Sequence, residues 1–371
     1  VTTDGSEADE KAVLDAGRTR PRAVRPRGQR QDPHVHRAAP DSERRTRQSP
    51  AVRAVRHGCR CLFVHHSKGF LMDTLTAPVD AYGTPLIDAG ELVPGARILI
   101  KDETRYSSGS HKEPAARAVV ARAIAEGKQR IVIATCGNYG RAMSLACGAI
   151  GMPCTVVLPA GWSDGGEFMR SAGADVVLVD GSYEDAVDES KRLAALPGSI
   201  DGNVDGPYLD AVFAGHGVAA AAVHSVLGEP PAGMWIPVGN GTTVIAIHRR
   251  LRELGWAVPL HGVGSAANNP LVTSWPGPYT MLDPAAVTTT DHNQPLVNWH
   301  ALQGPEALDA IAASGGAVHA ATDDELLAAR DLLRDYGAYP TAAGAVALAG
   351  LLAQTRTNPL TGTHVVLLSG R

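Results

Sequence analysis

Four short stretches hold the side chains best suited to chemistry. The first is Lys101-Asp102-Glu103-Thr104, followed by Ser107-Ser108-Gly109-Ser110-His111-Lys112-Glu113-Pro114. Lys112 falls at the start of an expected helix, where the positive end of the helix dipole disfavours an ammonium and lowers its pKa. A lysine so placed suits Schiff-base work, although alone it reads more readily as a solvated side chain. The second stretch is Thr135-Cys136-Gly137-Asn138-Tyr139-Gly140, directly after the apolar run Ile131–Ala134. Its backbone N–H groups can bind a carboxylate, and Asn138 can donate to a ring hydroxyl or phenolate. The third is Val238-Gly239-Asn240-Gly241-Thr242-Thr243, where small residues let the backbone wrap a phosphate and two threonine hydroxyls add donors. It is not a dinucleotide fingerprint, because Ile245 stands near the place of a third glycine, nor a Walker loop, which needs Gly-Lys-Ser/Thr. The fourth is Leu367-Leu368-Ser369-Gly370-Arg371.

These stretches need elements to hold them, and short β-branched runs alternate with Ala-rich helical ones. Strands are expected at Arg97–Ile100, Arg130–Thr135, Cys154–Leu158, Asp175–Val179, Met234–Val238, Leu260–Val263 and His364–Leu368. Helices are expected at Glu113–Glu126, Tyr139–Ile150, near Gly166–Ala172, and at Tyr183–Ala195, Val244–Leu254, Asp323–Tyr336 and Ala342–Leu352. Pro114 lies in a first turn, where its missing N–H costs nothing. Strands without strict alternation are buried on both faces, and helical crossovers between them imply mostly parallel sheets. Each motif then sits at a strand-to-helix junction, where open α/β sheets bind ligands. Residues 268–302 are irregular, and a loop of that length is usually functional or mobile.

Composition narrows the choice. The chain has 371 residues, 44% hydrophobic and 19% charged, enough for a sizeable core in one or two domains. The longest near-apolar stretch expected, Thr341–Ala353, is too short to span a bilayer, and no secretory signal is visible. Five cysteines without a regular framework suggest a reducing, cytoplasmic setting. A net charge of −4 argues against a nucleic-acid binder overall. Charge is unevenly spread: residues 1–71 hold 15 Lys+Arg and 8 Asp+Glu, against 19 and 30 in the remainder. That basic segment lacks apolar periodicity and is not expected to fold alone. With Val1 first and no methionine before Met72, it is expected to lie outside the true reading frame. A solvated tail, a targeting peptide and a nucleic-acid-binding arm are the other readings.

In order and spacing, the four motifs resemble the fold-type II pyridoxal-phosphate enzymes, the tryptophan synthase β superfamily. Within it the chain is most similar to threonine synthase. The resemblance covers about residues 84–371. The family's Ser-Phe-Lys is matched by Ser110-His111-Lys112, which implies Lys112 as the cofactor's lysine and catalytic base. The Ser/Thr-x-Gly-Asn loop is matched by Thr135, Cys136, Gly137 and Asn138, implying substrate-carboxylate binding with Asn138 on the cofactor's ring oxygen. The glycine-rich phosphate cup is matched by Gly239, Asn240, Gly241, Thr242 and Thr243, and the serine near the pyridine nitrogen by Ser369. His111 stands where Phe is usual, Glu113-Pro114 where Asp-Arg is usual, and Tyr339-Pro340 where Glu-Pro is frequent.

The resemblance implies a two-domain α/β fold, with 72–112 and 227–371 forming a large domain and 113–226 a small one. It implies pyridoxal 5'-phosphate as cofactor, a small amino-acid substrate and a homodimer. The expected activity is β- or γ-elimination or replacement of the threonine synthase kind. A serine/threonine dehydratase or cysteine synthase-like enzyme is the alternative, and a non-catalytic cofactor-binding partner protein is the alternative of another class. Arg105 and Arg141 flank the expected pocket and could take a substrate phosphate, although surface roles suit them equally. Cys147 and Cys154 read as core, and Trp275 and Trp299 as cover or packing. The 14 histidines show no metal-ligand spacing, so no metal is expected.

Overall fold

The computed structural model describes residues 53–54, 83–135, 137–161 and 166–371. The readings made for the basic segment 1–71 fall outside these apart from one two-residue strand, and so does Cys136.

Eleven strands are found among the described residues, in two sheets. The larger sheet holds β1 (Arg53–Ala54), β2 (Leu86–Asp88), β3 (Ala96–Asp102), β8 (Gly233–Pro237), β9 (Leu260–Ser265), β10 (Ala317–Ala321) and β11 (Gly362–Leu368). Its order is β1-β2-β3-β11-β8-β9-β10, parallel from β3 onward, with β1 and β2 antiparallel at one edge. The smaller sheet is wholly parallel, in the order β6 (Asp175–Val179), β5 (Cys154–Pro159), β4 (Arg130–Ala134), β7 (Ser199–Asp201). The expected α/β class with mostly parallel, helix-flanked sheets is what the chain adopts.

Eleven α-helices connect and cover these strands: α1 (Glu113–Ala125), α2 (Asn138–Gly148), α3 (Glu167–Ser171), α4 (Tyr183–Ala194), α5 (Leu209–His216), α6 (Val218–Leu227), α7 (Thr242–Glu253), α8 (Pro270–Ser274), α9 (Gly304–Ala313), α10 (Asp323–Leu333) and α11 (Val346–Thr355). Two helices open with reciprocal capping boxes, Ser182 with Asp185 and Thr322 with Glu325. One core lies on each face of the larger sheet, with Ile236, Val365 and Leu260 on one side and Ile98, Ile100 and Trp235 on the other. A third, built from Ile131, Ile133, Val156 and Leu158, joins α1 and α2 to the smaller sheet, and holds Cys147 and Cys154 as expected.

The apolar run Leu209–Leu227 is long enough to cross a membrane by length and composition. It is longer than the Thr341–Ala353 stretch, and Asp210, His216 and His224 interrupt its Ala- and Val-rich run without abolishing its apolar character. It is half buried within the protein: α5 packs on α1 and α7. Gly215 makes that approach possible, since a Cβ there would overlap the backbone of Ala115. The same contact sets His216 beside the start of α1.

Candidate active site

All four motifs leave the C-terminal ends of parallel strands: 103–112 after β3, 135–138 after β4, 238–242 after β8 and 369–371 after β11. The segment Ser110–Lys112 draws three of them together. Ser110 bridges Gly370 in antiparallel fashion. The His111 N–H donates to Ser369 O at 3.0 Å, and its ring Nδ1 meets the same oxygen at 2.8 Å. His111 Nε2 lies 3.2 Å from Thr243 Oγ1 in the first turn of α7. The loop after β4 joins through Gly370, where a Cβ would stand 2.9 Å from Asn138 Nδ2.

Lys112 is the N-cap residue of α1, with Pro114 in the first turn behind it. Its side chain is half-buried and has no hydrogen bond or ion pair with any described residue. Burial lowers its pKa to about 8, so a useful fraction of the amine is unprotonated near neutral pH. His111, beside it, is pushed down to about 3, first by burial and then by the Lys112 charge. His216 on α5 is 3% exposed, and its ring lies 5.2 Å from that of His111. Neither His216 ring nitrogen has a hydrogen-bond partner among the described residues. Its pKa is well below the ordinary value, through burial and the charges of Lys112 and His111; the nearby His111 backbone offsets part of this without hydrogen-bonding geometry.

Glu113 is buried and organises the approach to Lys112. One carboxylate oxygen accepts from Ser107 Oγ and Ser108 N, at 2.8 and 2.7 Å, and the other accepts from Arg117 at 2.6 Å. Ser369 is half-buried, and its peptide N–H is anchored to Gly344 O at 3.3 Å. Gly344 is required there, because a Cβ would overlap Gly370 O.

The Gly239–Thr243 turn departs from expectation in detail. Gly241 adopts φ 92° and starts α7, leaving the backbone N–H groups of the first helical turn without intrahelical acceptors. The two threonine hydroxyls expected to add donors are engaged elsewhere, and Asn240 is tied down through its oxygen. Asn240 Oδ1 accepts from Asn298 Nδ2 and from Leu302 N, Thr242 Oγ1 donates to Gln303 at 2.8 Å, and Thr243 meets His111. Residues 298–303 therefore brace the cup from outside. Asn269, fully buried, ties in with Nδ2 on Gly239 O and Leu296 O at 3.2 and 3.1 Å. The irregular stretch 268–302 is thus a buttress to this turn. Trp275 packs against the core beneath it, whereas Trp299 is 36% exposed.

The two flanking arginines differ. Arg105 pairs with buried Asp102 at 2.8 Å and donates to Gly337 O at 2.6 Å, so it is committed to holding the loop after β3. Of the two roles open to it, this is the structural one. Arg141, in the first turn of α2, makes no ion pair with a described residue; its guanidinium lies 3.9 Å over Phe168, and its buried Nε has no partner. Tyr339 is 62% exposed. No group of three His, Cys, Asp or Glu suited to a metal is found among the described residues.

His216 and the bracing Asn298 and Gln303 were not singled out from the sequence. His216 gave no signal, being a lone histidine in an Ala-rich run far from any motif.

Residues 79–370 match the family described as pyridoxal-phosphate dependent enzyme. The threonine synthase of Synechocystis sp. is 28% identical over 301 residues, covering 77% of this chain and 75% of that protein. The threonine synthase of Mycobacterium tuberculosis is 29% identical over 283 residues, covering 73% and 75%. Among solved structures, threonine deaminase isoform 2 from Solanum lycopersicum superposes with a TM-score of 0.68 at 21% identity, over 81% of this chain and 88% of that one. A fungal L-serine ammonia-lyase from Rhizomucor miehei gives 0.65 at 20% identity, over 77% and 93%. The structural likenesses establish a shared fold. The donor set found here also suits the family's cofactor: an unpaired amine of lowered pKa, a helix N-terminus for a phosphate and a neutral hydroxyl at a strand end.

Proposed function

Because the chain belongs to the pyridoxal-phosphate dependent enzymes, we propose that it catalyses β- or γ-elimination or replacement on a small L-amino acid, with a threonine synthase-like reaction first. The observation that carries this is the Lys112 amine, without a hydrogen bond or ion pair to any described residue and with its pKa lowered to about 8, next in the chain to His111, whose ring joins Ser369 O to the first turn of α7. Lys112, Asn138, Ser369 and the Gly239–Thr243 turn would hold the cofactor. Bound there, pyridoxal phosphate supplies the conjugated electron sink that stabilises negative charge at the substrate Cα.

This chain's residues do the rest. Lys112 Nζ attaches the cofactor and later removes and returns the proton at Cα, which its lowered pKa suits. The N–H groups of the first turn of α7 hold the phosphate against the helix dipole. Asn138 Nδ2 would donate to the cofactor's ring oxygen. Ser369 offers the ring nitrogen a hydroxyl in place of a carboxylate, which favours elimination and replacement over transamination. The Thr135–Asn138 loop binds the substrate carboxylate through its backbone N–H groups. Arg141, which makes no ion pair with a described residue, is the candidate for a second anionic group on the substrate, such as the phosphate of O-phosphohomoserine. A dehydratase acting on serine or threonine would use the same lysine and hydroxyl, and is the second reading.

The visible spectrum of the purified chain tests the proposal. A visible band that borohydride removes and that Lys112→Ala lacks is expected. O-phosphohomoserine should perturb the band more than serine or threonine does, and Arg141→Met should weaken only the response to O-phosphohomoserine. A protein that stays colourless with added cofactor would sink the reading. A strong response to serine and none to O-phosphohomoserine would favour the dehydratase.

A further inference from the structure

His111 joins three parts of the site through one ring. Its Nδ1 lies 2.8 Å from Ser369 O at the end of β11, and its Nε2 lies 3.2 Å from Thr243 Oγ1 in the first turn of α7. A carbonyl oxygen only accepts, so Nδ1 carries a hydrogen. Burial keeps the ring neutral, so Nε2 is bare. Thr243 must therefore donate its hydroxyl hydrogen to His111. That single hydrogen cannot also serve an anion at the same helix end. Yet the first turn of α7 is where an anion is best held, since its N–H groups lack intrahelical acceptors.

We infer that an anion held at the first turn of α7 draws the Thr243 hydrogen to itself, and that His111 Nε2 takes up a proton from solvent in its place. The inference rests on the reading of Gly239–Thr243 as the phosphate cup. The exchange balances. The hydrogen bond from Oγ1 to Nε2 is replaced by one from Oγ1 to the anion and one from Nε2 to Oγ1. One proton enters from the buffer, and no bond between heavy atoms changes. The resulting imidazolium donates from both nitrogens, to Ser369 O and to Thr243 Oγ1.

The groups facing His111 explain why the proton must arrive with the anion. Lys112, at the start of α1, is cationic when protonated and opposes a second positive charge. The N-terminal dipole of α7 opposes it too. His216, from α5, is held neutral by burial and adds no compensating charge. The Ser369 carbonyl favours the imidazolium, but only as a dipole. Glu113, the carboxylate nearest in sequence, is turned to Ser107, Ser108 and Arg117. No carboxylate among the described residues bonds to the ring, so the balancing charge must come from the cup. At one hydroxyl's remove, that charge acts over a short distance. His111 thus informs the lysine segment whether the cup is filled, and anion affinity falls as pH rises.

Sulfate is the probe, because it does not itself titrate near neutral pH. It is titrated into the cofactor-free full-length chain, with calorimetry in buffers of different ionisation enthalpy and ¹⁵N spectra of the amides and imidazoles. The expected result is shifted amides at Gly239–Val244, uptake of about one proton per sulfate, and affinity falling about tenfold per pH unit. The His111 ring nitrogens should move to imidazolium positions. His111→Gln and Thr243→Val should each bind sulfate without proton uptake, and Lys112→Ala should keep it. Shifted amides with no uptake would overturn the inference while leaving the cup intact. Uptake that survives His111→Gln but vanishes in Lys112→Ala would also overturn it, placing the proton on the lysine. Unmoved amides at 239–244 would overturn the cup reading and this inference together.

Discussion

Around Trp235, three histidines on neighbouring strands satisfy one another. His261 Nδ1 meets His319 Nε2 at 3.0 Å, Trp235 stacks on His261 at 4.2 Å and donates from Nε1 to His364 Nδ1 at 3.3 Å, and His364 Nε2 reaches Thr361 O at 3.2 Å. Beside Lys112, a second buried histidine group is built otherwise. The bonds of His111 run to Ser369 and Thr243, both members of the candidate site, and His216 has none among the described residues. A buried polar group left without a partner costs about 1–3 kcal/mol. The scaffold closes its hydrogen bonds on itself. The candidate site keeps polar atoms that have no partner among the described residues.

The largest effect that can sharpen this contrast is loss of the scaffold ring. Trp235 is fully buried between β9 and β11, where it supports both the apolar core and the histidines. Trp235→Ala should lower stability by about 3–5 kcal/mol, read as a fall in the urea midpoint. The visible band of the folded fraction should persist. If the band were lost while the protein stayed folded, the two regions would not be separable.

Acid should come next. His261 and His319 are each lowered from 6.5 to about 4, chiefly by burial. The unfolded chain therefore binds their protons at higher pH than the folded one. Their contribution to stability is complete above pH 6.5, declines as pH falls below it, and stops changing below about 4. Urea melts across this window should show the decline, and the double variant His261→Leu/His319→Leu should flatten it. An unchanged slope in that variant would show that other groups set the acid sensitivity, such as His364 or His111, whose pKa values burial also lowers.

How much of this was legible beforehand depended on locality. The strand at Arg97–Ile100, the helix opening at Glu113 and the four loop motifs each announce themselves within a few residues, and the structure places them at the expected junctions. The helix expected from Val244 begins at Thr242, because Gly241 at positive φ turns the chain into it two residues earlier. Leu209–Leu227 showed no helical periodicity, since packing on several sides replaces a one-faced apolar stripe. The sequence Ala-Val-His-Ala-Ala at 317–321 is a poor strand former and is a strand because β9 pairs with it. In the site, Lys112, Asn138 and Ser369 could be read from their motifs. The commitment of Arg105 to Gly337 O, and of Asn240 and Thr242 to residues 298–303, could not, because each depends on a partner that only tertiary packing supplies.

The smallest effects separate the two histidine groups most cleanly, because they differ in sign. Replacing His261 by Leu, close to it in volume, removes the partner of His319 and leaves that nitrogen unbonded in a part-buried place. Stability should fall by about 1–3 kcal/mol. His216→Leu makes the same chemical change on α5, but there the lost nitrogens had no partner among the described residues to strand. It removes two desolvated polar atoms and puts apolar carbon among helices, so the cofactor-free protein should gain about 1 kcal/mol. If the imidazole is kept for what the site binds, that gain should shrink once pyridoxal phosphate is bound, although His216 is distant from every loop motif in sequence. Urea melts of wild type and both variants, with and without cofactor, read all the terms. A stability loss on His216→Leu in the cofactor-free protein would show that His216 is as well satisfied as the Trp235 cluster, and the distinction between the two groups would fail.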